Sequence, residues 1–258
     1  GGLIGIFDSG VGGLTIWKAI AEMLPEENTL YLADSAHAPY GKRPAAEILE
    51  LSRSCTEWLL DRGAKLIVVA CNTATTNAIS ALRAEYPVPF IGIEPAIKPA
   101  ALQSKTRRVG LLATRGTLGS ALFADTTRLH AAGIEILEQE GEGLVEAIES
   151  GDIRSPELQA RLKALLRPML GAGIDHLVLG CTHYPFLTPV LSAILPAGVR
   201  ILDCAAPVAR QTRKVLTEQA LLRTAQAPGQ HAFHTTGDPG ILNQMLRELG
   251  HAGTAQPL

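Results

Sequence analysis

The sequence predicts an α/β protein of two similar parallel-sheet domains, related by a pseudo-twofold duplication, with an active site in the cleft between them. Three observations carry this prediction. Short apolar runs alternate with amphipathic helical patterns almost throughout the 258 residues, as expected for parallel strands covered by helices on both faces. Residues are 47% hydrophobic and 19% charged, enough apolar surface to bury sizeable cores and too much for a disordered chain. One segment also repeats: Lys65-Leu66-Ile67-Val68-Val69-Ala70-Cys71-Asn72-Thr73 reads, without a gap, like Asp175-His176-Leu177-Val178-Leu179-Gly180-Cys181-Thr182-His183.

The elements follow in order. Leu3–Phe7 is an apolar strand, and the glycine-rich turn Asp8–Gly13 leads into a helix over Leu14–Leu24 that Pro25 stops. Thr29–Ala33 is the next strand. The stretch Asp34–Pro44, with two prolines and a glycine, reads as a stiff loop. A helix over Ala45–Asp61 closes at Gly63, and Lys65–Ala70 and Phe90–Ile93 complete the first set of strands. Arg108–Leu112, Ile134–Leu137, His176–Gly180 and Val199–Leu202 form the second set, and His231–Thr236 is a late strand. Two weaker matches support the duplication: Gly5-Ile6-Phe7-Asp8-Ser9 with Gly110-Leu111-Leu112-Ala113-Thr114, and Ile93-Glu94-Pro95-Ala96 with Leu202-Asp203-Cys204-Ala205. No linker, charge block or low-complexity segment marks a boundary, so the repeat sets it. The expected domains are residues 1–95 with 206–258, and residues 96–205.

Composition excludes several classes. With 23 basic and 25 acidic residues, net charge −2, the chain has no electrostatic footprint for nucleic acid or an anionic membrane. No apolar run is long enough to span a bilayer. The start Gly1-Gly2-Leu3-Ile4 lacks the basic and apolar regions of a secretory signal. A cytoplasmic location with reduced thiols is therefore expected. Four cysteines are too few for a disulfide scaffold.

The chemistry concentrates at Cys71 and Cys181. Each follows an apolar strand and precedes small polar residues and an expected helix start. Ligands of parallel α/β sheets sit beyond the carboxyl ends of the strands, and a helix N-terminus stabilises a thiolate. His183, two residues after Cys181, is placed to exchange a proton with it. One base on one face of a carbon preserves configuration, whereas two bases on opposite faces invert it, so paired thiols in a duplicated fold point to racemisation or epimerisation of a carbon acid.

Two loops supply candidate ligand contacts. Asp8-Ser9-Gly10-Val11-Gly12-Gly13 lacks the Lys-Ser/Thr ending of a phosphate loop and the dinucleotide glycine spacing. Its backbone N–H groups suit a carboxylate, and Asp8 suits an ammonium group, a neighbouring thiol or a helix cap. In the second loop, the Tyr40 hydroxyl and Gly41 N–H are candidate carboxylate donors. Cys55 reads as core. His231 and His234 point to opposite faces of their strand, and no metal-ligand pattern is complete.

Four motifs together resemble the glutamate racemase family: Phe7-Asp8-Ser9-Gly10-Val11-Gly12-Gly13-Leu14; Ala33-Asp34-Ser35 with Pro39-Tyr40-Gly41; Ala70-Cys71-Asn72-Thr73-Ala74; and Gly180-Cys181-Thr182-His183-Tyr184-Pro185. The resemblance runs in order from about residue 3 to 210. It implies a cofactor-independent, metal-free cytoplasmic homodimer interconverting L- and D-glutamate, the latter a building block of bacterial peptidoglycan. It implies that Cys71 takes the α-proton of D-glutamate with help from Asp8, and Cys181 that of L-glutamate with help from His183. Substrate contacts are implied at Asp8, Ser9, Asp34, Pro39, Tyr40, Gly41, Asn72, Thr73, Thr182 and His183, with Thr114–Thr117 as a further region. A family acid in the second half maps to Glu146, with Glu142 and Glu149 as neighbouring alternatives. The chain lacks the N-terminal extension of members activated by a cell-wall precursor, so no such regulation is expected. No Lys or Arg falls inside the motifs, so neutral donors are expected to recognise the carboxylates.

Overall fold

The computed structural model describes residues 1–93, 96–119, 128 and 132–258. Among them are ten strands: β1 (Leu3–Asp8), β2 (Thr29–Ala33), β3 (Ala64–Val69), β4 (Phe90–Ile91), β5 (Arg108–Ala113), β6 (Glu135–Glu140), β7 (His176–Gly180), β8 (Arg200–Leu202), β9 (His231–Thr235) and β10 (Ala255–Pro257). They form two sheets, in the order β10-β9-β2-β1-β3-β4 and β6-β5-β7-β8. Every pairing is parallel. The order β2-β1-β3-β4 recurs as β6-β5-β7-β8, so the sequence repeat is a repeat of topology.

The central strands β2 and β7 are buried at every position, as their unbroken apolar runs require. The strand β6 is different: none of its residues is fully buried, and it is an edge of the smaller sheet. Its glutamates guard against pairing with another chain. It extends to Glu140, past the expected end at Leu137, because it pairs with β5 as far as Ala113↔Glu140. Ladder pairing, rather than hydropathy, sets that end. Conversely β4 stops at Ile91, short of the expected Ile93, since it meets only Ile67 and Val68 of β3. Hydropathy carries no sign of β10, a three-residue edge strand containing Pro257, a residue tolerated only at such edges.

Helices cover both sheets. The helix α1 (Leu14–Met23) buries Leu14, Ile16, Trp17 and Ile20, and α2 (Ala45–Asp61) buries Ile48, Cys55 and Leu59, so Cys55 is a core residue as expected. The helix α3 (Asn72–Glu85) begins directly after Cys71. In the second half lie α4 (Ile97–Gln103), α5 (Arg115–Leu118), α6 (Leu144–Glu149), α7 (Pro156–Gly171) and α8 (Thr188–Ile194). The helix α9 (Ala205–Glu218) runs back along α1. The C-terminal β9 and β10 join the larger sheet, flanking α10 (Pro239–Glu248). His231 packs on Trp17 and His234 on Trp58, on opposite faces of β9. The expected domain boundary at 95/96 and the Glu94-Pro95 part of the third repeat match lie outside the described residues.

One apolar core runs continuously from Ile4, Leu14 and Leu66 in the larger sheet's layers to Leu112, Leu177 and Leu187 in the smaller sheet's. Leu112, on the central strand β5, is fully buried within it. Leu112→Ala should lower stability by about 2–5 kcal/mol, because it removes packed methyl groups and leaves a cavity, read as a lower thermal midpoint by calorimetry. An unchanged midpoint would contradict the packing described.

Candidate active site

The carboxyl ends of the parallel strands bring the candidate residues together. Asp8 ends β1 beside Ala33 of β2, and Phe7 pairs with Val69 of β3, so Asp8, Asp34 and Cys71 line one rim. In the second sheet Ala113 pairs with Gly180, which places Thr114 beside Cys181. Asp8, Ser9, Asp34, Asn72, Thr73, Thr182 and His183 are all buried.

Cys71 caps α3: its Sγ accepts the Ala74 N–H at 3.4 Å, the helix-start environment expected for it. It also donates to Ser9 Oγ at 3.9 Å, which bonds Asp8 Oδ1 at 3.5 Å. Burial, then the neighbouring Asp8 carboxylate, pushes the Cys71 thiol well above its ordinary range. Cys181 has different surroundings. No α-helix starts behind it; residues Tyr184–Leu187 form a 3-10 turn containing Pro185. Its partner is His183, with Nδ1 3.7 Å from Sγ.

A polar chain links the two sulfurs. Thr182 Oγ1 donates to Asp8 Oδ2 at 3.3 Å, and His183 Nδ1 lies 3.9 Å from the same oxygen. The other ring nitrogen, Nε2, is 2.6 Å from Glu149 Oε2. Burial opposes charge on His183, but Cys181, Glu149 and Asp8 outweigh it and hold the ring protonated well above the usual histidine range. Burial likewise opposes charge on Glu149, but His183 and the Val11 N–H keep its carboxyl below the usual range. Asp8 has less compensation. Burial outweighs the attraction of His183 and the Gly13 N–H and raises it to about 6.

The glycine-rich loop does face an anion, but one the protein supplies: the Val11 N–H donates to Glu149 Oε2 at 2.7 Å. Glycine is needed there for close approach. A Cβ on Gly12 would overlap the backbone of His183, and one on Gly10 the Glu149 carboxylate. Asp8 is not the helix cap: Gly13 holds the N-cap position of α1 with no side chain capping it, and Asp8 accepts the N–H of that glycine at 2.7 Å.

Three sequence expectations need correction. Glu146 does not reach His183; it pairs with Lys42 at 2.6 Å, both side chains well exposed. Glu149 takes that place. Glu149 is one of the two neighbouring alternatives, and periodicity favours it over Glu146, because it follows buried Ile148 and lies one turn from buried Val145, on the inward face of α6. The Tyr40 hydroxyl is not a free carboxylate donor, because it already donates to Asp34 Oδ2 at 2.5 Å. Nor is the Asp34 carboxylate open to a ligand. Its Oδ1 contacts His37 Nδ1 at 2.8 Å and accepts from Thr236 Oγ1 at 2.8 Å. Asp34 and Tyr40 therefore hold the loop that presents half-buried Pro39 and buried Gly41. Gly41 abuts Thr114, and Thr73 shares hydroxyl contacts with Thr114 and Thr117. Both polar atoms of the buried Asn72 amide lack a protein partner among the described residues.

Pro39, Gly41, Lys42, Thr114 and Glu146 border a space of about 20 Å³, room for about one water molecule. A larger groove, about 630 Å³, is lined by residues such as Ile79, Arg83, Phe90 and Val208 and by neither Cys71 nor Cys181. No group of three His, Cys, Asp or Glu side chains among the described residues is arranged to hold a metal. No helix among them is long and apolar enough to cross a membrane.

The profile of the Asp/Glu/Hydantoin racemase family matches residues 4–212. The chain belongs to the Asp/Glu/Hydantoin racemase family. Within it, this racemase is 48% identical over 244 residues to glutamate racemase of Pseudomonas aeruginosa, covering 94% of this chain and 92% of that one. It is 46% identical to glutamate racemase of Stutzerimonas stutzeri, with the same coverage. Its fold matches the crystal structure of Escherichia coli glutamate racemase in complex with L-glutamate and the activator UDP-MurNAc-Ala, with a TM-score of 0.87 and 33% identity over 100% of this chain and 98% of that one. Against the glutamate racemase isoform RacE1 of Bacillus anthracis the TM-score is 0.85, with 28% identity over 100% and 97% of the two chains. This racemase is thus an isomerase similar along its whole length to glutamate racemases.

The buried carboxyl of Asp8 has a sign-specific effect on stability. Its folded value is above the ordinary 3.8. The protonated form therefore favours folding, fully so below 3.8, and that advantage is lost as pH rises through about 6. Asp8→Asn, which stays neutral, should match the parent in thermal midpoint near pH 4 and exceed it at pH 7. The shift from 3.8 to about 6 sets the scale at about 3 kcal/mol. Parallel melting curves against pH would show a constant difference if Asp8 were not strained in this way.

Proposed function

We propose that this chain interconverts L- and D-glutamate by two-thiol transfer of the α-proton. The single observation that carries the reading is the placement of Cys71 and Cys181 after the equivalent strands β3 and β7, joined through Ser9, Asp8, Thr182 and His183.

In the direction from L-glutamate, the Cys181 thiolate takes the α-proton and becomes a thiol. The C–H electron pair passes to the α-carbon and its carboxylate. The Cys71 thiol then delivers its proton to the opposite face, giving D-glutamate and a Cys71 thiolate. The reverse direction exchanges the roles. The surroundings suit this division. Burial keeps Cys71 a thiol in the resting site, ready to act as the acid. His183 presents an N–H to Cys181, and a thiolate accepts such a donor better than a thiol does. Asp8 assists the Cys71 side.

The planar intermediate carries more negative charge than the substrate. The Asn72 amide, the Thr73 and Thr182 hydroxyls and the Gly41 N–H are the donors we assign to it, each a neutral group of the kind worth a few kcal/mol when fixed in advance. The two lobes of this reading, residues 1–95 with 206–258 and residues 96–205, meet where Gly12 abuts His183 and Gly41 abuts Thr114, and the proposed cycle includes their separation to admit glutamate. On this reading the enzyme is a cytoplasmic homodimer, and its D-glutamate feeds bacterial peptidoglycan.

The first test is L-glutamate incubated with the enzyme in D₂O, followed by circular dichroism and mass analysis. Loss of optical activity with one deuterium at Cα is expected; bound glutamate that neither inverts nor exchanges would defeat the reading. Cys71→Ser and Cys181→Ser should each reduce racemisation by about 10³-fold or more. Asp8→Asn and His183→Asn should lower kcat unequally for the two enantiomers, with KM shifting in step so that kcat/KM stays equal in the two directions as an equilibrium constant of one requires; equal falls in kcat would argue against separate helpers.

A further inference from the structure

The late strand β9 ends beside the active site without a role in the chemistry above. Its last residue, Thr235, pairs with Ala33 of β2, which in turn pairs through β1 with Asp8. Thr236 therefore stands one step beyond the sheet, next to Asp34, on the same rim as the site residues. Its backbone N–H donates to the Ala33 carbonyl at 3.0 Å. Its hydroxyl donates to Asp34 Oδ1 at 2.8 Å and accepts the Ala36 N–H at 3.0 Å. The other Asp34 oxygen accepts the Tyr40 hydroxyl, and the Gly41 amide we assign to the substrate follows directly in the chain.

We infer that Thr236 is a positioning residue: through Asp34 and Tyr40 it sets the Gly41 loop at the geometry that receives a substrate carboxylate. The inference rests on the racemase reading and extends it to the C-terminal segment. Three features support it. The Asp34 carboxylate is buried, so losing a donor to it is costly rather than neutral. Two points of the loop, Asp34 and Ala36, are tied by the one hydroxyl. And Gly237 packs so closely on Ser35 that a Cβ there would come within 2.7 Å of the Ser35 Cβ, which leaves the Thr236 backbone little freedom. A loop that binds the same carboxylate in ground and transition states affects KM more than kcat.

The test compares Thr236→Val, which keeps the shape and removes the hydroxyl, with Thr236→Ser, which keeps the hydroxyl. For the Val variant KM for both enantiomers should rise about tenfold, the scale of one lost hydrogen bond to a charged group, with kcat within about twofold of the parent. The Ser variant should retain the parent's KM, and both should melt within a few degrees of it. Tyr40→Phe cuts the other arm of the link and should raise KM in the same way, so the test stands even if the Val variant does not fold. Unchanged KM in Thr236→Val or Tyr40→Phe, a Ser variant as impaired as Val, or a joint fall in kcat and melting temperature would overturn the positioning role. A parent enzyme that fails to racemise glutamate would remove the racemase reading itself, and that measurement comes first.

Discussion

The structure turns on a buried ionic contact between the two sheets' layers, in which His183 is held between Glu149 and Asp8. Charges buried this way cost several kcal/mol each unless partners replace the missing water. Here the partners are the two carboxyl groups, the Cys181 sulfur and backbone N–H groups of the glycine loop. That requirement explains the glycines at 10 and 12, because a side chain at either would push Glu149 or His183 out of reach. It also explains the tension at Asp8, raised to about 6. On the proposed reading, the same contact crosses the interface that opens for substrate. Parting the lobes rehydrates these groups, which offsets part of the cost of separating them. Closing the lobes on a ligand restores a low-dielectric site where fixed donors act most strongly.

The duplicated topology supplies two equivalent strand ends and hence two thiols. Their neighbourhoods are not equivalent. Behind Cys71 a full α-helix begins and Ser9 and Asp8 lie close. Behind Cys181 the chain makes a 3-10 turn, and His183 is the near neighbour. On the proposed reading each thiol serves as acid in one direction and as base in the other, with a carboxyl near one and an imidazole near the other. The C-terminal segment breaks the symmetry further. It adds β9 and β10 to the larger sheet only, and with them Thr236 at the site's rim.

Much of this was legible in the chain itself. Continuous apolar runs such as Leu66–Val69 and Leu177–Leu179 read as strands buried on both faces, and the gapless repeat around the cysteines aligned one half on the other. Local chemistry, too, was readable at Cys71 before a helix start and His183 beside Cys181, whereas the glycine loop, expected to face a ligand carboxylate, faces Glu149 of the protein itself. Less legible were elements set by pairing, such as the length of β6 and the existence of β10, because a neighbouring ladder rather than residue type ends a strand.

The fold class, the duplication and the two thiols follow from the order of residues alone, since each depends on hydrophobic pattern or on residues adjacent in the chain. Folding in three dimensions was needed to select the acid that serves His183, to set Tyr40 and Asp34 against each other, and to bring Thr236 to the same rim. Those outcomes depend on side chains brought together from distant positions, where burial and hydrogen-bond competition, not local spacing, select the partner.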